Sequence, residues 1–147
     1  MNIKKLVKKG RLSQLKIANY SQSKIDEIIT AVAWEIIKPD NNKMLSEMAV
    51  KDTGLGNVND KILKNKRKTI GLLRDLKNIK TLGIIKNDIK KGLVHFARPV
   101  GLIGAMTPAT NPVATPLNKI INALKCRNSI ILSPSQKPRE FVLKLLN

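Results

Sequence analysis

The residues best suited to chemistry lie in a proline-bracketed loop, Thr107-Pro-Ala-Thr-Asn-Pro112. An apolar run at residues 100–106 precedes this loop, and a helical pattern at about residues 116–125 follows it. In α/β proteins the turn from a strand into a helix is a common place for a dinucleotide or another ligand. The plainer alternative is a turn fixed by its prolines, with an asparagine in a tight bend.

Other kinds of site find little support in the sequence. The turn Gly54-Leu-Gly56 imitates the first glycines of a dinucleotide fingerprint but follows a helical pattern, and Gly101 and Gly104 have the wrong spacing. A single histidine, His95, gives no Ser-His-Asp set, and one histidine with one cysteine gives no metal cluster. We interpret His95 as a packed or edge residue of a strand. Cys126 is interpreted as a small residue at a helix end and not as a nucleophile.

The composition describes a basic chain of one domain's length. It has 147 residues, a formal net charge of +18 and a hydrophobic fraction of 42%, which suffices for a core. The single cysteine forms no internal disulfide and no signal-peptide pattern is evident, so we expect a cytoplasmic protein. Prolines interrupt the longest uncharged stretch, at residues 99–118, so no membrane span is expected.

The charge itself suggests a second class of function. Lys61, Lys64 and Lys68 fall on one side of a predicted helix, which favours a solvated helix face over a phosphate-binding patch. A small basic protein that binds nucleic acid or other anions on a βαβ scaffold is therefore the alternative. Aromatic residues make up only 3% of the chain, so we expect any nucleic-acid binding to be non-specific and due to charge.

The first eighty residues have helical spacing. Serines at 21 and 23 precede an amphipathic helix that closes at Lys38-Pro39, and Trp34 on it is predicted to lie in the core. A shorter helix with Met44 inside ends at Gly54, and a third opens at Asn59 or Asp60 with an inner face of Ile62, Ile70, Leu73 and Leu76. The first fifteen residues or so are also predicted to be helical.

Strands replace helices after residue 80. Short strands are predicted at residues 82–85 and 92–97, followed by a strand at 100–106 that is apolar on both faces and by another at 129–133. The predicted fold class is therefore α/β: N-terminal helices, then the first βαβ unit of an incomplete doubly wound, Rossmann-like parallel sheet. A final short helix is predicted at about residues 138–146. Two parallel strands leave open edges, so we expect the remaining strands to come from another chain or from a longer protein.

Two long motifs carry a family resemblance. Pro99-Val-Gly-Leu-Ile103, the loop that follows it and Ala123-Leu-Lys-Cys-Arg-Asn128 closely resemble the CoA-acylating branch of the aldehyde dehydrogenase superfamily. The segment 49–65, with its Asp52-Thr-Gly54 and its Lys64-Asn65, resembles the same branch. Within the branch, residues 67–75 and 118–124 are more similar to acylating sulfoacetaldehyde dehydrogenases than to acetaldehyde dehydrogenases.

The resemblance implies a function for the loop. Its cofactor-binding residues are expected to be Thr110, Asn111, Pro112, Val113, Ala114 and Thr115, near the nicotinamide of NAD or NADP and the aldehyde oxygen. An amide donor such as Asn111 would stabilise a developing oxyanion there. Comparison with the wider superfamily puts Thr110 in that position instead, so both remain candidates.

The resemblance also implies a division of the chain. Residues 1–80 would form an N-terminal helical segment, and residues 81–147 would begin the NAD(P)-binding domain, with part of an oligomerisation sheet. Enzymes of this branch oxidise an aldehyde with NAD(P) through a cysteine thioester, which coenzyme A accepts, and they form homo-oligomers. Their catalytic cysteine lies in a later domain, so this chain is expected to be an N-terminal fragment that is inactive alone.

Overall fold

The structure, a computed structural model, describes residues 2–135. The helix predicted at residues 138–146 lies outside the described residues. Within the described residues, five α-helices and four strands form in the order α1 (Ile3–Ile17), α2 (Gln22–Ile37), α3 (Pro39–Thr53), α4 (Val58–Leu76), β1 (Gly83–Asp88), β2 (Leu93–Ala97), β3 (Leu102–Thr107), α5 (Ala114–Lys125) and β4 (Ser129–Pro134). A 3₁₀ turn, Ile89–Lys91, joins β1 to β2.

The helix boundaries follow from local capping chemistry. The Ser21 hydroxyl accepts a hydrogen bond from the backbone N–H of Lys24 at the start of α2, as its position predicts. Gly54 ends α3 in the left-handed region at φ 66°, where glycine carries no Cβ penalty. The N-cap of α4 is Asn57, so this helix begins slightly earlier than the predicted Asn59 or Asp60. The prediction of a helix over the first fifteen residues is confirmed by α1.

The core joins the N-terminal helices to α5. Ile25, Ile29 and Ala33 of α2 are buried against Leu117 and Ile121 of α5. Their four-residue spacing on α2 produces a single apolar stripe. This packing holds α5, and therefore the loop before it, against the helical part of the chain.

Three predicted core positions are wrong. The side chains of Trp34, Met44 and Ile70 are 58%, 49% and 47% exposed. Trp34 follows the buried Ala33, and one residue turns its side chain by about 100° from the buried stripe of α2. Met44 and Ile70 likewise lie one residue from the buried Leu45 and Thr69.

A polar contact packs α3 against α4. The Asn65 amide donates to Asn42 Oδ1 at 3.0 Å and to Ser46 Oγ at 3.2 Å, and all three side chains are buried. Asn42 in turn donates to the backbone carbonyl of Ile62 at 3.0 Å. Because these groups satisfy one another, the interface tolerates buried amides in place of apolar residues.

The strands form two separate pairs. β1 and β2 form an antiparallel hairpin. β3 and β4, which precede and follow α5 in the sequence, pair with each other in parallel. The latter pair confirms the predicted βαβ unit, and with the preceding helices it confirms the predicted α/β fold class.

Helices α1 and α5 both pack against the parallel pair. Leu102 of β3 contacts Gly10 of α1, where any added Cβ would lie 2.7 Å from the leucine, while Ile103, Gly104, Ala105 and Met106 line a cavity with residues of α5. The predicted burial of β3 on both faces is wrong near its end, where Met106 is 82% exposed.

The β1–β2 hairpin carries an exposed apolar surface. Its larger exposed members are Ile84, Ile85, Leu93, Val94 and Phe96. Among the described residues no helix is both long enough and apolar enough to span a membrane.

Candidate active site

The loop before α5 is anchored by its second half. Pro112 and Val113 are buried, and Val113 packs with Leu45 and Ala49 of α3. The backbone N–H of Thr115 donates to the carbonyl of Asn111 at 3.3 Å, which begins the first helical turn. Pro112 and Val113 therefore fix the loop, and the predicted site residues with exposed side-chain surface are Thr110, Asn111, Ala114 and Thr115.

Asn111 is oriented by a lysine from α4. The Lys64 ammonium donates to Asn111 Oδ1 at 2.5 Å, and both side chains are partly buried. An ammonium group only donates hydrogen bonds, so this contact identifies the oxygen end of the amide. The NH₂ group of Asn111 is then directed away from Lys64, so it can donate a hydrogen bond to another group.

A cavity of about 340 Å³ lies between α4 and α5 beside this pair. It is lined by Lys64, Lys68, Thr69, Leu72, Asn111, Ala114, Thr115, Leu117, Asn118 and Lys119. Three of the six predicted site residues therefore contribute to one concave surface. Its volume is at the lower end of the range typical of ligand pockets, ~300–1,000 Å³.

Thr110 faces a different space. It lines a second cavity, of about 320 Å³, with the turn Leu55–Asn57 and with Asp60, Lys61 and Lys64. Lys64 lines both cavities and so lies between the two candidate oxyanion donors. Thr110 and Asn111 are neighbours in sequence, but they present their side chains to different cavities.

The predicted solvated face of α4 is wrong at two of its three lysines. Lys61 is 6% exposed and Lys64 is engaged with Asn111; only Lys68 is exposed. Burial lowers the pKa of Lys61 below its ordinary value, and the nearby charge of Lys64 lowers it further. Lys61 and Lys64 lie on a side of α4 that packs on the rest of the protein, where Lys64 contacts the loop.

The motif Lys125-Cys-Arg-Asn128 holds the strands in register. Asn128 Oδ1 accepts the backbone N–H groups of Val100 and Gly101 at 2.7 and 2.9 Å, and so fixes the start of β3 beside β4. Lys125, itself 2% exposed, donates to Asp26 of α2 at 2.6 Å. Arg127 donates to the carbonyl of Tyr20 at 2.5 Å. These residues therefore support the site without lining the cavity that contains Asn111.

The other chemically active side chains lie elsewhere. Cys126 forms the C-cap of α5, on the far end of that helix from the loop, in agreement with a role at the helix end. His95 is exposed on β2, opposite Lys86. Within residues 2–135 no three His, Cys, Asp or Glu side chains come together as a metal site.

The chain with this arrangement, a βαβ turn that presents an oriented amide to a cavity, is similar to proteins of a known class. The model of the aldehyde dehydrogenase family matches residues 1–146, and the chain belongs to that family.

Its relatives include enzymes of the acylating branch. The chain is 52% identical over 142 residues to the acylating sulfoacetaldehyde dehydrogenase of Cupriavidus necator, covering 97% of this chain and 29% of that protein. It is 36% identical over 140 residues to the acetylating succinate-semialdehyde dehydrogenase of Clostridium kluyveri, covering 95% of this chain and 30% of that protein. The chain thus spans about three tenths of the length of these relatives.

Solved structures agree with the fold. The acetylating aldehyde dehydrogenase of Geobacillus thermoglucosidasius superposes with a TM-score of 0.90 at 31% identity, covering 97% of this chain and 31% of that one. An engineered glycolyl-CoA reductase with bound NADP⁺ superposes with a TM-score of 0.77 at 30% identity, covering 95% and 31%. The resemblance to acylating aldehyde dehydrogenases is therefore supported by both sequence and structure.

The sequence alone does not identify the lysines of the cavity as part of the site. Lys64 does stand in the Lys64-Asn65 pair of the family motif, which was the available signal. Lys68 and Lys119 lie in residues 67–75 and 118–124, which carry part of the family resemblance, but only the tertiary fold brings α4 and α5 together around the cavity.

Proposed function

We propose that this chain is the N-terminal part of an NAD(P)-dependent, CoA-acylating aldehyde dehydrogenase. The reaction converts an aldehyde, coenzyme A and NAD(P)⁺ into an acyl-CoA, NAD(P)H and a proton. The relatives described above support the reaction class, and the reductase structure with bound NADP⁺ supports the cofactor. Sulfoacetaldehyde is the proposed substrate, with an acetaldehyde-like compound as the alternative.

The main support for this proposal is the Lys64–Asn111 hydrogen bond at the N-terminal end of α5. It orients the Asn111 NH₂ group as a donor, which is what a carbonyl oxygen requires as negative charge develops on it. Because the lysine holds the amide before substrate arrives, little reorganisation is needed at the moment of reaction. We therefore assign the oxyanion donor to Asn111 rather than to Thr110.

The loop also fits one end of a nicotinamide cofactor. Ala114 and Thr115 are partly exposed beside Asn111, and the first turn of α5 leaves backbone N–H groups near the carboxyl end of β3. Thr110, Asn111, Ala114 and Thr115 would contact the cofactor and substrate, while Pro112 and Val113 would hold the loop rigid. The cofactor, when bound, accepts the hydride from the substrate.

We further propose the division of the chain at residue 80, with residues 81–147 beginning the cofactor domain. The exposed apolar β1–β2 hairpin would contribute to a sheet between subunits of a homo-oligomer, since such a surface is costly to leave in water. A cytoplasmic location remains the proposal, because the single cysteine provides no internal disulfide.

The test compares the chain with a hybrid enzyme. In the hybrid, residues 2–135 replace the matching segment of the Cupriavidus necator sulfoacetaldehyde dehydrogenase. With aldehyde, NAD(P)⁺ and coenzyme A, we expect acyl-CoA from the hybrid and none from the purified 147-residue chain. Turnover by the chain alone would refute the fragment assignment. A folded but inactive hybrid would refute the proposed function.

A further inference from the structure

The cavity that contains Asn111 is strongly cationic. Lys64, Lys68 and Lys119 all line it, and no carboxylate side chain is among its lining residues in the described part of the chain. The ion pairs found within residues 2–135 involve other basic residues, so these three ammonium groups are not neutralised by a neighbouring acid there. A concave site with three such groups attracts an anion.

The cations come from two different helices. Lys64 and Lys68 lie one turn apart on α4, and Lys119 lies on α5 across the cavity. Thr115 and Asn118 of α5 add polar side chains to the same wall. Two helices that converge their polar groups on a single cavity provide what a small anionic group needs, namely several charge-assisted donors from different directions.

The cavity is also next to the proposed reaction centre. Lys64 donates one of its three N–H groups to Asn111 Oδ1, and the other two can donate to a ligand. A ligand that reaches both Lys64 and the Asn111 NH₂ group must therefore carry its anionic group close to its carbonyl. That description fits a short aldehyde with a terminal sulfonate or carboxylate.

We propose that Lys64, Lys68 and Lys119 form the receptor for the anionic group of a short ω-charged aldehyde. Lys68 and Lys119 select for the charge, and Lys64 connects the charge receptor to the carbonyl donor. This inference depends on the proposed function, since it places the receptor in the aldehyde site of the acylating enzyme. The phosphate groups of NADP⁺ or coenzyme A are the other source of the same chemistry, and the test separates them.

The first part of the test uses the 147-residue chain itself. Ethanesulfonate serves as the probe, with neutral ethyl methyl sulfone as its uncharged counterpart, and binding is followed by NMR chemical shifts of α4 and α5. We expect ethanesulfonate to shift resonances around the cavity and Lys68→Gln to weaken this binding about tenfold, as loss of one charge-assisted hydrogen bond does. Lys86→Gln, which removes an equal charge from the hairpin, should leave the binding unchanged. Equal losses from both variants would show general attraction by the net charge and would overturn the proposal.

The second part uses the hybrid enzyme with two aldehydes. Lys68→Gln and Lys119→Gln should each raise the KM for sulfoacetaldehyde about tenfold and leave the KM for propionaldehyde unchanged. Lys119→Arg, which keeps the charge, should retain most of the preference for sulfoacetaldehyde over propionaldehyde. If the variants instead raise the KM for NADP⁺ or coenzyme A equally with both aldehydes, the anion is a phosphate and the proposal is wrong. Failure of the unsubstituted hybrid with both aldehydes would refute the proposed function instead, while the binding experiment still decides the inference.

Discussion

Lys64 on α4 and Asn111 in the loop before α5 are joined by a 2.5 Å hydrogen bond across 47 positions of sequence. The bond links the N-terminal helices to the turn of the βαβ unit. It fixes the rotation of the Asn111 amide, since only its oxygen can accept from an ammonium group. The position of a helix in the first half of the chain therefore sets the direction of a donor in the second half.

Removing this lysine should slow the reaction even with an aldehyde that carries no charge. In the hybrid enzyme we expect Lys64→Met to lower kcat about 10- to 100-fold with both charged and uncharged aldehydes, because the amide is no longer held in the productive orientation. The measurement is steady-state kinetics with sulfoacetaldehyde and propionaldehyde. Lys66→Met, at an exposed position of the same helix, is the control. An unchanged kcat for propionaldehyde would mean that Lys64 does not position Asn111.

The buried amides between α3 and α4 should be important for stability. Asn65→Ala removes both donated bonds and leaves Asn42 Oδ1 and Ser46 Oγ without this partner in a buried interface. We expect the free energy of unfolding to fall by ~1–3 kcal/mol. Urea unfolding followed by circular dichroism measures this change in the free energy of unfolding. The control Asn87→Ala, on the exposed hairpin, should change the midpoint of urea unfolding little. Equal effects of the two substitutions would contradict the role of the buried network.

The contact between α2 and α5 should depend on Ile121, which is fully buried. Replacing it with alanine deletes side-chain volume that the packed helices cannot refill, and we expect a loss of ~2–5 kcal/mol. Ile89→Ala, at a position 85% exposed, should alter stability by less than ~0.5 kcal/mol. Thermal unfolding of the two variants compares them directly.

Lys61 should make the free energy of unfolding depend on pH in the alkaline range. Its pKa is lowered in the folded state, so between that lowered pKa and the ordinary value of 10.5 the unfolded chain binds more protons than the folded one. Stability attributable to this group therefore rises with pH through that window, and Lys61→Met should remove the rise. Urea unfolding at a series of pH values tests this. A matching rise in the Lys61→Met variant would assign it to another group.

Sequence patterns were sufficient where a local rule decides the structure. The cap at Ser21, the stop at Gly54 and the strand–loop–helix–strand order around Asn111 each depend on neighbours in the chain. Sequence patterns were insufficient where tertiary packing decides whether a side chain is buried. Trp34 is exposed beside a buried alanine, and Lys61 is buried although helical spacing alone favours solvent.

The site shows the same division. The loop with Thr110 and Asn111 is identifiable from its motif, but which of the two faces the lysine cavity depends on how α4 packs against α5. Lys119 belongs to the cavity only because that packing brings it opposite Lys68. No spacing along the sequence records a contact of this kind.

The most direct test of the account is acyl-CoA formation by the hybrid enzyme carrying Asn111→Ala, compared with Thr110→Val and with the unsubstituted hybrid. We predict that Asn111→Ala lowers kcat ~100- to 1,000-fold, the usual cost of losing an oxyanion donor. Thr110→Val should retain most of the activity. Full activity in the Asn111→Ala hybrid, or the loss confined to Thr110→Val, would contradict the assignment of Asn111 and the role given to its bond with Lys64.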